Sequence, residues 1–233
     1  MAGILTNKIR VAILDDHQSI LDGYQFRLRQ IPDIEVVDTS VTADEFESLL
    51  ADRTPDVILL DVFVPISREN PNPFPILQSI PRWLQLYPRL SILVISMYGT
   101  RRLVKAVMEA GASGFILKND QASIQELGSI IRSVAGGGIH FSKQAHQLLL
   151  KQDSESPLLT ARQLQALSLC AAYPDATTEE LAEKMDVANS TVRNLLSGAY
   201  LRLEVHTRTA AIAKARQLGL ITPQGPDVQP DLN

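Results

Sequence analysis

The chain has 233 residues, 45% of them hydrophobic and 21% charged, with a formal net charge of −4. That length suits two domains rather than one, the composition excludes a globally disordered chain, and the charge argues against indiscriminate nucleic-acid binding over the whole surface. No apolar stretch reaches the roughly 18–20 residues that cross a bilayer, Met1 to Lys8 has no signal-peptide core, and the lone Cys170 has no intramolecular partner, so a cytoplasmic protein without membrane attachment is expected.

In chain order, five apolar runs alternate with amphipathic segments. The runs are Ile9 to Leu14, Ile34 to Val37, Val57 to Leu60, Ile92 to Ile95 and Gly114 to Leu117, short and continuous as buried parallel strands are. Between and after them, helical patterns cover His17–Gln30, Ala43–Ala51, Pro75–Tyr87, Arg101–Ala110 and Ser123–Ala135. Thr42 followed by Glu45 has capping-box spacing. The alternation predicts a doubly wound, flavodoxin-like α/β domain with a five-stranded parallel sheet over residues 1–136.

Gly136-Gly137-Gly138 ends the fifth helical pattern, and His140–Lys151 reads as one more helix inside a linker spanning 137–156. From Leu158 to Ile221 only helical patterns occur, two of them opening with capping boxes at Thr160/Gln163 and Thr177/Glu180. This predicts an all-α domain over 157–222. Cys170, flanked by Leu169 and Ala171, fits its core as a small hydrophobe. Residues 223–233 hold too few apolar groups to pack and are expected to be a disordered tail.

Ligands of open α/β sheets bind at the carboxyl ends of the strands. There the chain places Asp15, Asp16 and His17 after the first strand, Asp61 after the third, Ser96 after the fourth and Lys118 after the fifth. One aspartate after a strand is commonly a helix cap. Crowded carboxylates instead call for a hard divalent cation such as Mg²⁺, and Asp61 could then act as a nucleophile toward a phosphoryl donor while Lys118 neutralises the transferred oxygens and Ser96 binds them.

Leu14-Asp15-Asp16-His17, Leu59-Leu60-Asp61-Val62, Val94-Ile95-Ser96 and Gly111 through Lys118 together resemble the receiver domains of two-component response regulators, over roughly residues 8–136. The resemblance implies that Asp61 is the phosphoacceptor. It also implies that Asp15, Asp16 and the carbonyl of Phe63 hold Mg²⁺ with it, that Ser96 and Lys118 sense the phosphate, and that Phe115 is an aromatic switch; core packing is the alternative reading of Phe115. Pro65 fits the family pattern. Glu69 stands where Gly is usual, Asn119 stands where many receivers have Pro, and the loop Pro65 to Pro75 is long, with four prolines restricting its backbone.

In the second domain, Thr177–Lys184, a turn at Met185 to Ala188, and Asn189–Leu203 make a scaffold helix, a turn and a reader helix. Val192, Leu196, Ala199 and Leu203 share one face and leave Ser190, Arg193, Asn194 and Ser197 outward. Residues 191–221 hold Arg193, Arg202, Arg208, Lys214 and Arg216 against Glu204 alone. Leu159 to Arg162, Glu180 to Ala182, Ser190 to Asn194 and Arg208 to Ile221 resemble the LuxR-type helix-turn-helix of NarL/FixJ regulators. That implies contacts to double-stranded DNA from Ser190, Thr191, Arg193, Asn194, Ser197 and Arg202, a sensor histidine kinase as phosphodonor, and a homodimer when active. The departures are Gln163, Leu195, Gly198, Leu201 and Glu204; Leu195 and Leu201 remove polar or basic contacts.

Such a chain would catalyse only its own phosphoryl transfer. Two other readings remain: a regulator of this architecture that works without phosphate, and a receiver whose helical domain binds protein rather than DNA.

Overall fold

The structure, a computed structural model, describes residues 8–150 and 158–222. Lys151 to Ser156 of the expected linker, Pro157 at the start of the expected second domain and the expected tail from Pro223 lie outside the described residues.

The first unit is built from β1 (Ile9–Leu14), α1 (Gln18–Arg29), β2 (Ile34–Ser40), α2 (Ala43–Arg53), β3 (Val57–Leu60), α3 (Ile76–Leu86), β4 (Ser91–Ser96), α4 (Arg101–Glu109), β5 (Gly114–Leu117), α5 (Gln121–Gln125), α6 (Leu127–Ala135), β6 (His140–Phe141) and α7 (Lys143–Leu150). The sheet order is β2-β1-β3-β4-β5-β6, with every pair parallel. Side chains alternate along each strand. Leu14, Leu60, Val94 and Phe115 pack with residues of α2, α3 and α4, while Ile13, Leu59, Ile95 and Ile116 pack with α1 and α6. Both faces are therefore buried, which is why these strands read as continuous apolar runs.

Three expectations need correction. The sheet has six strands, not five: His140 and Phe141, expected in a helix, form β6 beside Gly114 and Phe115. Gly114 makes room for it, since a Cβ there would stand 2.3 Å from the carbonyl oxygen of His140. The fifth helical pattern is two helices, α5 and α6, that divide at Glu126. The capping box expected at Thr42 does not form. The Glu45 amide that Thr42 would cap donates to Asp44 Oδ1 at 2.8 Å, and the two amides before it go to the loop after Asp61, with Ala43 N donating to Pro65 O at 3.0 Å and Asp44 N to Ile66 O at 2.9 Å.

The polypeptide from Val64 to Phe74 is a small hairpin. Phe74 N donates to Val64 O, Ile66 N to Asn72 O and Ser67 N to Asn70 O, and Pro65 and Pro73 face each other as an antiparallel bridge. Proline suits positions whose N–H is not used in a ladder. Ser67 Oγ accepts from Glu69 N and Asn70 N, which closes the turn.

The second unit holds α8 (Ala161–Ala172), α9 (Thr178–Met185), α10 (Asn189–Arg202) and α11 (Arg208–Gln217) around a core of Leu167, Cys170, Leu181, Val192, Leu196, Ala211 and Ala215. Both expected capping boxes, at Thr160/Gln163 and Thr177/Glu180, are present. Asp186 ends α9 in the left-handed region (φ 52°), turning the chain into α10.

Candidate functional site

The parallel order of β1, β3, β4 and β5 delivers their last residues to one rim. Lys118 Nζ donates to Asp15 Oδ2 at 2.7 Å and to Asp61 Oδ2 at 2.8 Å, with all three side chains at most 6% exposed. Val62 N donates to Asp61 Oδ1 at 2.6 Å, and His17 N donates to Asp15 Oδ1 at 3.1 Å. Each buried carboxylate thus keeps one oxygen on a backbone amide and shares the other with one ammonium. Asp16 and His17 sit at the more open mouth, where His17 Nδ1 and Asp16 Oδ1 are 2.6 Å apart.

Burial pushes the Asp61 carboxyl from its ordinary 3.8 up to about 6; Lys118 opposes the rise, and the charges of Asp15 and Asp16 add to it. Burial also raises Asp15 against the pull of Lys118. Burial works against a charged Lys118, yet Asp61 and Asp15 outweigh it and its pKa is raised. Three carboxylates against one ammonium leave a local excess of negative charge. Asp15, Asp16 and His17 each offer a ligand atom within 4.8 Å of the others. This oxygen-rich, under-neutralised cluster fits a hard divalent cation.

Ser96 is fully buried, and its Oγ accepts from Tyr98 N at 3.2 Å, so the hydroxyl anchors the bend after β4. Tyr98 meets Phe63 edge-on at 5.2 Å, joining that bend to the loop after Asp61. Phe115 is fully buried on the sheet face shared with α4.

Asp120 gave no sequence signal beyond a generic helix cap, yet it holds two elements. Its Oδ1 accepts from Ser123 N at 3.1 Å and caps α5, while its Oδ2 accepts from Lys143 N at 3.1 Å and fixes the start of α7. Two residues after Lys118, one carboxylate therefore ties the acidic rim to α7, which packs on α4 and β5. The docking of α7 draws Leu148 to the backbone near Gly99, where a Cβ would lie 3.3 Å from its Cδ1.

In the second unit, Val192, Leu196 and Ala199 of α10 are buried, while Ser190, Thr191, Arg193, Asn194, Ser197 and Arg202 are all exposed. The six expected contact residues therefore lie on the open side of one helix, which begins after a tight turn and has the length to lie in a major groove. Leu201, 80% exposed, interrupts that face with apolar surface.

Two family models match the chain: a response regulator receiver domain over residues 11–129, and the bacterial regulatory proteins of the luxR family over 157–215. Among curated relatives, the transcriptional regulatory protein LiaR of Bacillus subtilis is 30% identical over 223 residues, covering 91% of this chain and 99% of LiaR. The transcriptional regulatory protein MctR of Rhizobium johnstonii is 28% identical over 220 residues, covering 94% and 98%. Of solved structures, RcsB from Salmonella enterica serovar Typhimurium, bound to promoter rprA in the presence of phosphomimetic BeF3⁻, aligns with a TM-score of 0.60 and 21% identity over 89% of this chain and 98% of that one. At that identity the likeness establishes a shared fold.

Proposed function

The chain belongs to the NarL/FixJ response regulators, which join a receiver domain to a LuxR-type DNA-binding domain, and from that premise we propose that phosphorylation of Asp61 switches its binding to DNA. The observation that carries this reading is the shared grip of Lys118 Nζ on Asp61 and Asp15, 2.8 and 2.7 Å away, at the tips of β5, β3 and β1. The ammonium stands where it can offset charge on oxygens transferred to Asp61.

Asp15, Asp16, Asp61 and the carbonyl of Phe63 would hold Mg²⁺. When bound, the ion neutralises the carboxylate cluster and the incoming phosphoryl oxygens. The chain's own residues do the rest. Asp61 presents Oδ2 as nucleophile while Val62 N holds Oδ1 in place. Lys118 stays positively charged, so it binds the product phosphoryl group without exchanging a proton. Ser96 Oγ accepts from Tyr98 N and can donate its O–H to a phosphate oxygen, and a hydroxyl holding both would pull the Tyr98 bend toward Asp61. Phe115 moves with that bend as the aromatic switch. The new charge then favours a second receiver state, and a homodimer places two reader helices on paired half-sites.

A sensor histidine kinase, or a small phosphodonor, supplies the phosphoryl group, and the protein acts in the cytoplasm. Among the described residues no helix is long and apolar enough to cross a membrane. The receiver is taken as 1–136, the linker as 137–156 and the DNA-binding domain as 157–222. Ser190, Thr191, Arg193, Asn194, Ser197 and Arg202 would meet bases and phosphates.

The test is incubation of the full chain with a small phosphodonor and Mg²⁺, followed by intact mass and DNA binding at several salt concentrations. Wild type should gain one phosphoryl group and bind DNA more tightly, and Asp61→Asn should do neither. Equal DNA affinity for both proteins, with or without donor, would favour regulation without phosphate. No salt-dependent binding at all would favour a protein partner instead.

A further inference from the structure

The hairpin that replaces the usual short loop after Asp61 reaches the DNA-binding domain. At its tip, Asn70 Oδ1 accepts from Asn72 N at 3.2 Å and Asn72 Nδ2 at 2.7 Å. This orients the Asn70 amide so that Nδ2 donates to Ala172 O at 3.3 Å. Ala172 is the last residue of α8. The final carbonyls of a helix lack intrahelical donors and carry the negative end of its dipole, so an amide N–H placed there is favourable.

Two further contacts join the same parts. Thr222, buried just past α11, donates its hydroxyl to Phe74 O at the hairpin base, 3.5 Å away. Gly219 ends α11 in the left-handed region (φ 65°), and a Cβ there would come within 2.6 Å of Thr100 Oγ1, the cap of α4. Glycine thus serves both the backbone turn and the close approach to the receiver.

We propose that the Val64–Phe74 hairpin is a docking arm that holds the DNA-binding domain on the receiver by the carboxyl end of α8, and that phosphorylation of Asp61 loosens it. The second clause rests on the function proposed above. The arm starts three residues after Asp61, whose Oδ1 is bound by Val62 N. The other contact, Thr100, ends the segment that begins at Ser96. Both loops that would move around a phosphate therefore terminate on the second domain. The contacts involve α8 and the end of α11, while the outward face of α10 is exposed. Docking accordingly fixes where the reader helix points instead of covering it, and release would free two copies to adopt the spacing of paired half-sites.

The experiment measures the interdomain distance by double electron–electron resonance in the full chain, with Cys170→Ala and spin labels at the exposed positions Asp52 and Glu179. The proposal expects one narrow distribution without donor. It expects Asn70→Ala, on the receiver, and Thr222→Val, on the other domain, each to raise the undocked fraction about fivefold, the effect of one net hydrogen bond. Unchanged distributions in both variants would overturn the arm. Donor plus Mg²⁺ should broaden the wild-type distribution while intact mass shows one added phosphoryl group. Modification without broadening would overturn the coupling and leave the proposed function standing. Broadening in the variants, with no modification of wild type by donor, would keep the arm and remove phosphorylation as its trigger.

Discussion

Gly198 of α10 lies against Gln163 of α8: a Cβ at Gly198 would stand 2.7 Å from Gln163 Nε2. These are two positions at which the chain departs from its family, and they touch. Gln163 is not free to withdraw, because its Oε1 accepts from Thr160 N at 3.0 Å in the capping box of α8. Gly198→Ala should therefore destabilise the wild-type chain by disturbing that cap. In a Gln163→Ala background the same change should stabilise by about 1 kcal/mol, since only the gain in helix propensity remains. Urea unfolding followed by far-ultraviolet circular dichroism measures the cycle, and equal signs in both backgrounds would remove the coupling.

The acidic rim predicts a pH dependence of stability. Because folding raises Asp61 from 3.8 to about 6, the folded state holds this proton more tightly than the unfolded state does. Its contribution to stability is complete below 3.8 and is lost as pH climbs through about 6. In metal-free buffer at pH 7, Asp61→Asn should exceed wild type by on the order of 2 kcal/mol. The gap should close toward pH 4. A gap that widens on acidification would show that the ion pair with Lys118 outweighs the burial of Asp61.

Asp120 predicts a local effect. Asp120→Ala removes caps from both α5 and α7, worth about 1 kcal/mol each. Hydrogen exchange of the α7 amides should accelerate by roughly fivefold while α1 stays unchanged, and Asp120→Asn should recover only part of the protection, because its single amide oxygen can serve Ser123 N or Lys143 N but not both. Equal acceleration across the receiver would mean that Asp120 serves global stability alone.

How much of the molecule is legible in the sequence follows from how local each signal is. Strand runs, the acidic rim and two capping boxes are written in contiguous residues, so Asp15, Asp61, Ser96 and Lys118 can be placed at strand ends from the order of residue types alone. Thr42 and Glu45 carry the same local signature, but Asp44 Oδ1 takes the Glu45 amide that Thr42 would cap, and the loop after Asp61 takes the two amides before it. β6 is hidden for a related reason: two residues have no periodicity, and their pairing depends on the missing side chain of Gly114. Asn70 reads as an ordinary turn residue in a proline-rich loop. Its bond to Ala172 spans 102 positions, which no local pattern encodes.

Leu201 offers a gain-of-function prediction. It is 80% exposed near the end of α10, beside the exposed Arg202, at a position where the family often carries a basic residue. An apolar side chain there releases no counterion on meeting a phosphate, whereas a lysine would. Leu201→Lys should steepen the dependence of log affinity on log salt by about 0.9 per half-site contacted. The gain should be largest at low salt and similar for specific and unrelated DNA, because a phosphate contact carries no base information. Arg202→Ala should do the reverse, lowering the slope by about 1. If Leu201→Lys instead weakened specific binding at every salt concentration, Leu201 would be packing against the duplex as an apolar contact, and the reader helix would lie deeper than its exposed polar face implies.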